Sequence, residues 1–353
     1  MYPSIYLPVE IGLRDLYPKI LIAKKAIDHN FTIIIGDRYK IEKLSRFAYP
    51  DIFFSRSLEA PHYDKLFPFL KSKKTYIVAQ DVEAGQFFDN PVLYKFIRVI
   101  KNKLKYLSAF FAWSTSEYNY LIKNYHNMNV KFYLTGNPMF ELNNHYQNKN
   151  HSIKLKNYYL VNLSWPLFRP ITDEQKMTGI KIFKKNGASD KQINEHYNFC
   201  LQRIEENKKL IISIIKIAKD NKNKLFIIRP HPVDDLIKFK KEIFLPDNVK
   251  IILEGNVIPW IINAKKIVHT YCSTAYQTLL NNKIPICFDG HKVEKRNLLL
   301  GKISNFTTNI NELSVLLEKK DTDKDLKNKF EIMYSEFPNM KFNNSSDLII
   351  EKI

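Results

Sequence analysis

The 353 residues carry 55 Lys and Arg against 36 Asp and Glu, a formal net charge of +19, with 45% hydrophobic and 13% aromatic residues and only 9 Gly. Disordered and fibrous classes are thereby excluded, and the length suits about two packed domains. The positive balance points to a polyanionic partner: phosphorylated substrates, an anionic membrane surface or nucleic acid. Part of that balance is a Lys and Asn bias, as in Asn221-Lys-Asn-Lys224, so the charge alone does not choose among them. Cys200, Cys272 and Cys287 have neither paired nor CxxC spacing, so a disulfide framework and a zinc site are both unexpected. The N-terminus has no basic stretch followed by an apolar one, and no apolar run approaches the ~20 residues that span a bilayer. A cytoplasmic location is the expectation.

In chain order, residues 4–9 read as a strand, 20–27 have helical spacing, and 31–35 read as a second buried strand. Strand, helix, strand in so short a span is a parallel βαβ unit. Glu10 and Arg14 fall just past the first strand, where an ordinary i,i+4 ion pair is the plain alternative to a ligand contact. Residues 51–54 and 75–79 are further strands, and the second runs into Gln80-Asp-Val-Glu-Ala-Gly-Gln86. Asp81 and Glu83, after a buried strand, suit a general base; a solvated turn is the alternative. Residues 91–107 read as a basic amphipathic helix, with Lys95, Arg98, Lys101, Lys103 and Lys105 among apolar positions, suited to an anionic lipid surface or to plain solvent. Strands at 109–113 and 131–134 follow, the latter ending in Thr135-Gly-Asn-Pro138. The polar stretch 141–157 reads as a linker, which divides the chain into an N-terminal Rossmann-like domain (1–145) and a C-terminal one (146–353).

The second half opens with a strand at 158–161 that ends in Asn162-Leu-Ser-Trp-Pro166, followed by a long helix over 205–219. Next comes Lys224-Leu-Phe-Ile-Ile-Arg-Pro-His-Pro232, an apolar run stopped by two prolines. Arg229 and His231 are thus left at the carboxyl end of an interior strand, where open α/β sheets bind ligands. Strands at 249–253, 266–269 and 285–288 continue the pattern. Between the last two, Thr270-Tyr-Cys-Ser-Thr-Ala275 places Ser273 and Thr274 at a helix start, suited to N-capping and to phosphate alike. If the strands at 225–228 and 266–269 are adjacent, His231 and Ser273 share one sheet edge. There is no GxxxxGK[ST], GxGxxG, HExxH or GxSxG, which argues against a P-loop triphosphatase, a dehydrogenase, a zincin and a serine hydrolase.

Pro8-Val-Glu-Ile-Gly-Leu-Arg-Asp-Leu16, Asp81-Val-Glu-Ala-Gly85, Thr135-Gly-Asn-Pro138, Asn162-Leu-Ser-Trp-Pro166, Arg229-Pro-His-Pro232 and His269-Thr-Tyr-Cys-Ser-Thr274 together resemble the bacterial surface carbohydrate biosynthesis family, which is similar to GT-B glycosyltransferases. The acidic, His-Pro and Ser/Thr segments also resemble the motif set of bacterial sialyltransferases and Kdo transferases. That resemblance implies an α/β GT-B fold, two Rossmann-like domains facing a central cleft, with a C-terminal helix packing back on the first. It implies a metal-independent glycosyltransferase using a CMP-activated nonulosonic or Kdo-type sugar, with no resident cofactor. By the same resemblance His231 assists departure of the nucleotide, Arg229, Ser273 and Thr274 complete the phosphate site, and Asp81 or Glu83 is the base. Glu10, Arg14, Asn137 and Asn162 would contact acceptor or donor. The partners implied are a nucleotide sugar, a glycan or glycolipid acceptor and, through the basic patch, the inner face of the cytoplasmic membrane, with no specific nucleic acid. A CDP-glycerol-type polyol-phosphate transferase is the alternative within the fold. A non-catalytic binder of anionic lipid or nucleic acid is the alternative outside it.

Overall fold

The structure, a computed structural model, describes residues 2–83, 91–147, 153–168, 172–290 and 299–353. It divides into two units, one made of Met1–Leu142, Lys176–Asn194 and Tyr334–Ile353, the other of Asn143–Gln175 and Glu195–Met333.

The first unit is built on a parallel sheet of β1 (Ser4–Val9), β2 (Thr32–Asp37), β3 (Ile52–Ser55), β4 (Tyr76–Ala79), β5 (Ala109–Ala112) and β6 (Lys131–Leu134), in the order β2-β1-β3-β4-β5-β6. Its strands read as unbroken apolar runs because both faces are covered. Tyr6, Phe53, Ile77 and Phe110 pack to one side, and Ile5, Leu7, Phe54, Val78 and Phe111 to the other. The second side also takes Ile349 and Ile350 of the helix Ser345–Glu351, which Glu141 caps by accepting from Ser346 N–H (2.5 Å) and Ser346 Oγ (2.6 Å).

The second unit repeats the plan with β7 (Tyr158–Asn162), β8 (Phe226–Arg229), β9 (Val249–Ile251), β10 (Ala264–His269), β11 (Ile286–Phe288) and β12 (Asn305–Thr307), in the order β12-β11-β10-β7-β8-β9. All pairings in both sheets are parallel. Alternation again serves two faces, Tyr159, Val161, Phe226 and Ile228 against Tyr158, Leu160 and Ile227.

Three expectations change. The strands carrying Arg229 and His269 are not neighbours: β7 runs between them. The basic helix over 91–107 is helical over Pro91–Leu93 and Tyr94–Arg98 and again over Lys101–Leu104, broken between them where Val99 and Ile100 leave the helical conformation and are buried. Arg98 and Lys103 are buried with them, Lys103 donating to the carbonyls of Leu58 and Ala60 at 2.8 Å each, so this segment has no uniform basic face. The linker expectation also gives way at its start, where Leu142–Gln147 is helical. Gly85 of the acidic motif lies outside the described residues, as do 148–152 of the linker.

Candidate functional site

Each sheet presents a polar cluster at the carboxyl ends of its central strands, the edge at which loops of a parallel sheet can approach a ligand. In the first unit that cluster is a network of charges. Glu10, just past β1, receives Arg38 at 2.5 Å and Arg56 at 2.7 Å. Arg56 also pairs with Glu59, and Glu59 with Arg98. Asp81, past β4, is fully buried; its Oδ2 accepts from Arg98 Nε at 2.8 Å and its Oδ1 from Arg98 Nη2 and from Glu83 N–H. Glu83 pairs with Arg14 at 2.6 Å and faces Arg98 at 3.4 Å. Asp15 orients Arg14 from beside it, accepting its Nε at 2.6 Å.

The network sorts the carboxylates by basicity. Burial pushes Glu83 upward, but Arg98, Arg14 and Arg56 outweigh it and hold the carboxyl below the ordinary range. Glu10 goes the other way: burial raises it and Glu59 adds to the rise, against Arg56 and Arg38. A proton acceptor needs affinity for the proton, and of these two Glu10 has more of it.

Lys19, on the helix Tyr17–Asp28, is 4% exposed, with its amine 3.6 Å from the centre of the Phe54 ring. Burial lowers its pKa to about 7, Asp15 opposing and Arg56 adding to the fall. Arg14, Lys19, Gln80 and Asn137 line a cavity of about 20 Å³, room for about one water. Asn137 is shaped locally, its Oδ1 accepting Met139 N–H at 2.8 Å. The preceding Gly136 has φ +73°, and a Cβ there would stand 2.6 Å from Ser345 Oγ, so only glycine fits.

The second unit organises its edge with mostly neutral hydrogen bonds. Arg229, Asn162 and His269 are in register across β8, β7 and β10. The loops after β8 and β10 therefore leave the sheet at one level, two strand spacings or about 10 Å apart. Asn162 spans part of that gap, its Nδ2 donating to Thr274 Oγ1 at 3.1 Å, while its Oδ1 is buried with no hydrogen-bond partner among the described residues. Asp234 staples the His-Pro loop, accepting His231 N–H at 3.0 Å through one oxygen and the N–H groups of Leu167 and Phe168 at 2.7 and 2.8 Å through the other. Val233 N–H donates to His231 Nδ1 at 3.4 Å, which puts the proton of the neutral ring on Nε2.

His269 is a structural residue. Its Nδ1 accepts Cys272 N–H at 3.0 Å, and its Nε2 donates at 3.0 Å to Ser304 Oγ, whose own proton goes to Leu300 O. Burial, reinforced by Arg203, pushes its pKa down to about 3, so the ring is neutral. Arg203, from the helix Asp190–Asp220, donates to Ser164 Oγ at 2.9 Å and to the carbonyls of Thr270 and Tyr271 at 2.7 and 3.0 Å. This ties the loops after β7 and β10 together, with Tyr271 held at φ +54°.

The site residues expected from sequence thus form two groups. Glu10, Arg14, Asp81, Glu83 and Asn137 stand at the edge of the first sheet; Asn162, Arg229, His231, Ser273 and Thr274 stand at the edge of the second. Arg229 faces away from a phosphate role, its terminal nitrogens donating to Glu254 O and Gly255 O at 3.0 Å each over the Trp260 ring; it holds a turn. Lys19, Arg38, Arg56, Glu59, Arg203 and Asp234 were not among the expected site residues, and Arg98 was expected on a basic helix face instead. Asp234 had a local signal, a carboxylate three residues after His231 that closes the turn by accepting the His231 N–H. Arg98 had none, since it meets its partners across the fold, and Arg203 showed only an i,i+3 pairing with Glu206, its loop contacts being distant in sequence.

No protein-family model and no curated protein match this sequence. Solved structures do. UDP-GlcNAc 2-epimerase from Methanocaldococcus jannaschii, in complex with UDP-GlcNAc and UDP, aligns at TM-score 0.53 and 15% identity over 94% of this chain and 99% of that one. S. aureus MnaA in a co-structure with UDP aligns at 0.58 and 10%, over 98% and 94%. A variant of the wall teichoic acid polymerase TagF with CDPG aligns at 0.60 and 10%, over 99% and 88%. With its two six-stranded parallel sheets, the chain has the α/β fold of the GT-B class.

Proposed function

We propose that this chain is a transferase that moves a group from a cytidine-nucleotide donor to a hydroxyl of a bacterial surface glycan or glycolipid. The observation that carries the reading is the register of Arg229, Asn162 and His269, which brings the His231 and Ser273–Thr274 loops to one level of one sheet edge. His231 Nε2–H and the hydroxyls of Ser273 and Thr274 are hydrogen-bond donors of the kind that neutralise a departing phosphate. The orphan Asn162 Oδ1 suits a donor hydroxyl. Arg229 acts by positioning. Among the carboxylates of the first unit Glu10 is the one suited to act as a base, because burial raises its proton affinity even though Arg38 and Arg56 pair with it, while Asp81 on Arg98 and Glu83 on Arg14 shape the cluster.

The acceptor oxygen attacks the donor carbon, the bond from that carbon to the phosphate oxygen breaks, CMP leaves with the electron pair, and the acceptor proton passes to a carboxylate base. The donor is a CMP-activated sugar, of the nonulosonic or Kdo type that the sequence motifs suggest. A CDP-linked polyol is the second reading, favoured by the similarity to TagF with CDPG; attack on the distal phosphorus likewise releases CMP.

The test is CMP release from CMP-sugars and from CDP-glycerol, with UDP-GlcNAc as control. His231→Ala should lower turnover by ~10²- to 10⁴-fold and weaken nucleotide binding. Glu10→Gln should lower turnover on that scale with nucleotide affinity kept, because the base acts on the acceptor. Isomerisation of UDP-GlcNAc without CMP release from any donor would replace transfer with epimerisation. Binding without turnover of any donor would favour a silent binding module.

A further inference from the structure

The helix Arg38–Leu44 has two unlike faces. Arg38, Ile41, Glu42 and Ser45 are buried, and Arg38 and Glu42 belong to the charge network beside Glu10. The helix ends at Leu44 and runs into a tight turn in which Phe47 and Ala48 N–H donate to Leu44 O. The opposite face and this turn carry Tyr39, Lys40, Lys43, Leu44, Arg46 and Phe47, all exposed, Tyr39 at 67% and Phe47 at 73%. The patch extends to Tyr49, 49% exposed, whose ring has the Lys73 amine 4.9 Å from its centre. Over residues 38–50 the one carboxylate in the sequence, Glu42, points inward, so the outward charges in that span are all positive.

Large apolar side chains left in water need a reason when they gather with cations in one patch. Aromatic rings and lysine stems are the groups that settle at the level of lipid headgroups, apolar body inward and cation toward phosphate. We propose that this face of the first unit docks on an anionic lipid surface, with Tyr39 and Phe47 entering the headgroup region and Lys40, Lys43, Arg46 and Lys73 pairing with lipid phosphates. The proposal is independent of the donor chemistry. It also moves the lipid-binding role away from 91–107, where Arg98 and Lys103 are buried.

The experiment is co-sedimentation of the full chain with phosphatidylglycerol-containing vesicles and with pure phosphatidylcholine vesicles, at low and high salt. Binding should require the anionic lipid and weaken with salt. Lys40→Gln, Lys43→Gln and Arg46→Gln together should weaken it about a hundredfold, since ~1 kcal/mol per charge is about fivefold each. Tyr39→Ser with Phe47→Ser should weaken it about tenfold and leave circular dichroism unchanged, because both side chains are exposed. Failure of the unmodified chain to sediment overturns the proposal, as does unchanged binding by the charge variant. If the aromatic variant binds as tightly as the parent, the surface is a polyanion site and not a lipid one. If Lys95→Gln, Lys101→Gln and Lys105→Gln abolish binding instead, the surface lies elsewhere.

Discussion

The two sheet edges solve the same problem with different materials. Around β1, β3 and β4 the loops are held by full charges, four arginines threaded among Glu10, Glu59, Asp81 and Glu83. Around β7, β8 and β10 they are held largely by neutral donors and acceptors, among them Asn162, Thr270, Asn207 and a His269 kept uncharged, with Arg203 and its partner Glu206, Arg229 and Asp234 as charged pieces. Buried opposite charges stand together or fail together, because removing one leaves the others unpaired in a poor solvent for ions. Neutral networks fail in smaller steps. Acid should also reach the two edges through different groups.

The largest test removes the hub of the charged edge. Arg98→Met removes the arginine that pairs with buried Asp81 and leaves Glu59 to Arg56 and Glu83 to Arg14, and should cost about 3–5 kcal/mol. Urea unfolding followed by Trp113 fluorescence reads it, and a loss below about 1 kcal/mol would mean that the network is solvated.

Next comes acid. His269 has a folded pKa of about 3 against an unfolded value near 6.5, so the unfolded chain binds the extra proton in between. Stability from this group is complete above about pH 6.5 and falls as pH drops toward 3, by at most about 1.4 kcal/mol per unit. Glu83, held low, keeps its contribution above the ordinary carboxylate range and loses it only as pH falls through its lower folded value. Hence the second unit should soften first on acidification, and His269→Gln should lessen the dependence between pH 6.5 and 4, leaving the part carried by His196, whose pKa burial lowers to about 4. Equal slopes in parent and variant would refute the assignment.

The smallest effect is expected from Asn162→Ala, which deletes one neutral bond to Thr274 and should cost about 1 kcal/mol. A loss several times larger would show that the neutral edge is as cooperative as the charged one.

Much of this was legible beforehand. The runs at 4–9, 109–113, 131–134 and 225–228 became β1, β5, β6 and β8 within a residue or so, because strands buried on both faces leave an unbroken apolar signal. β12, Asn-Phe-Thr at the edge of its sheet, has no apolar run and left no such signal. The His-Pro and Ser/Thr loops were found because prolines and hydroxyl clusters mark strand ends whatever surrounds them. The base could not be ranked in the same way. Asp81, Glu83 and Glu10 look alike in sequence; the proton affinities of Glu83 and Glu10 diverge through burial and through arginines as many as 69 residues away along the chain, as for Arg14 and Glu83.

The chain's own pattern determined the class of the fold, two parallel sheets with polar loops at their carboxyl ends, since periodicity and turn residues act over a few neighbours. Tertiary structure alone decided that β7 separates the two phosphate-suited loops, that Arg98 is a buried partner of Asp81 rather than part of a basic face, and that Arg229 holds a turn. Strand order and ion pairing depend on which distant segments meet, and the strength of a charge in a protein depends on how much water that meeting leaves around it.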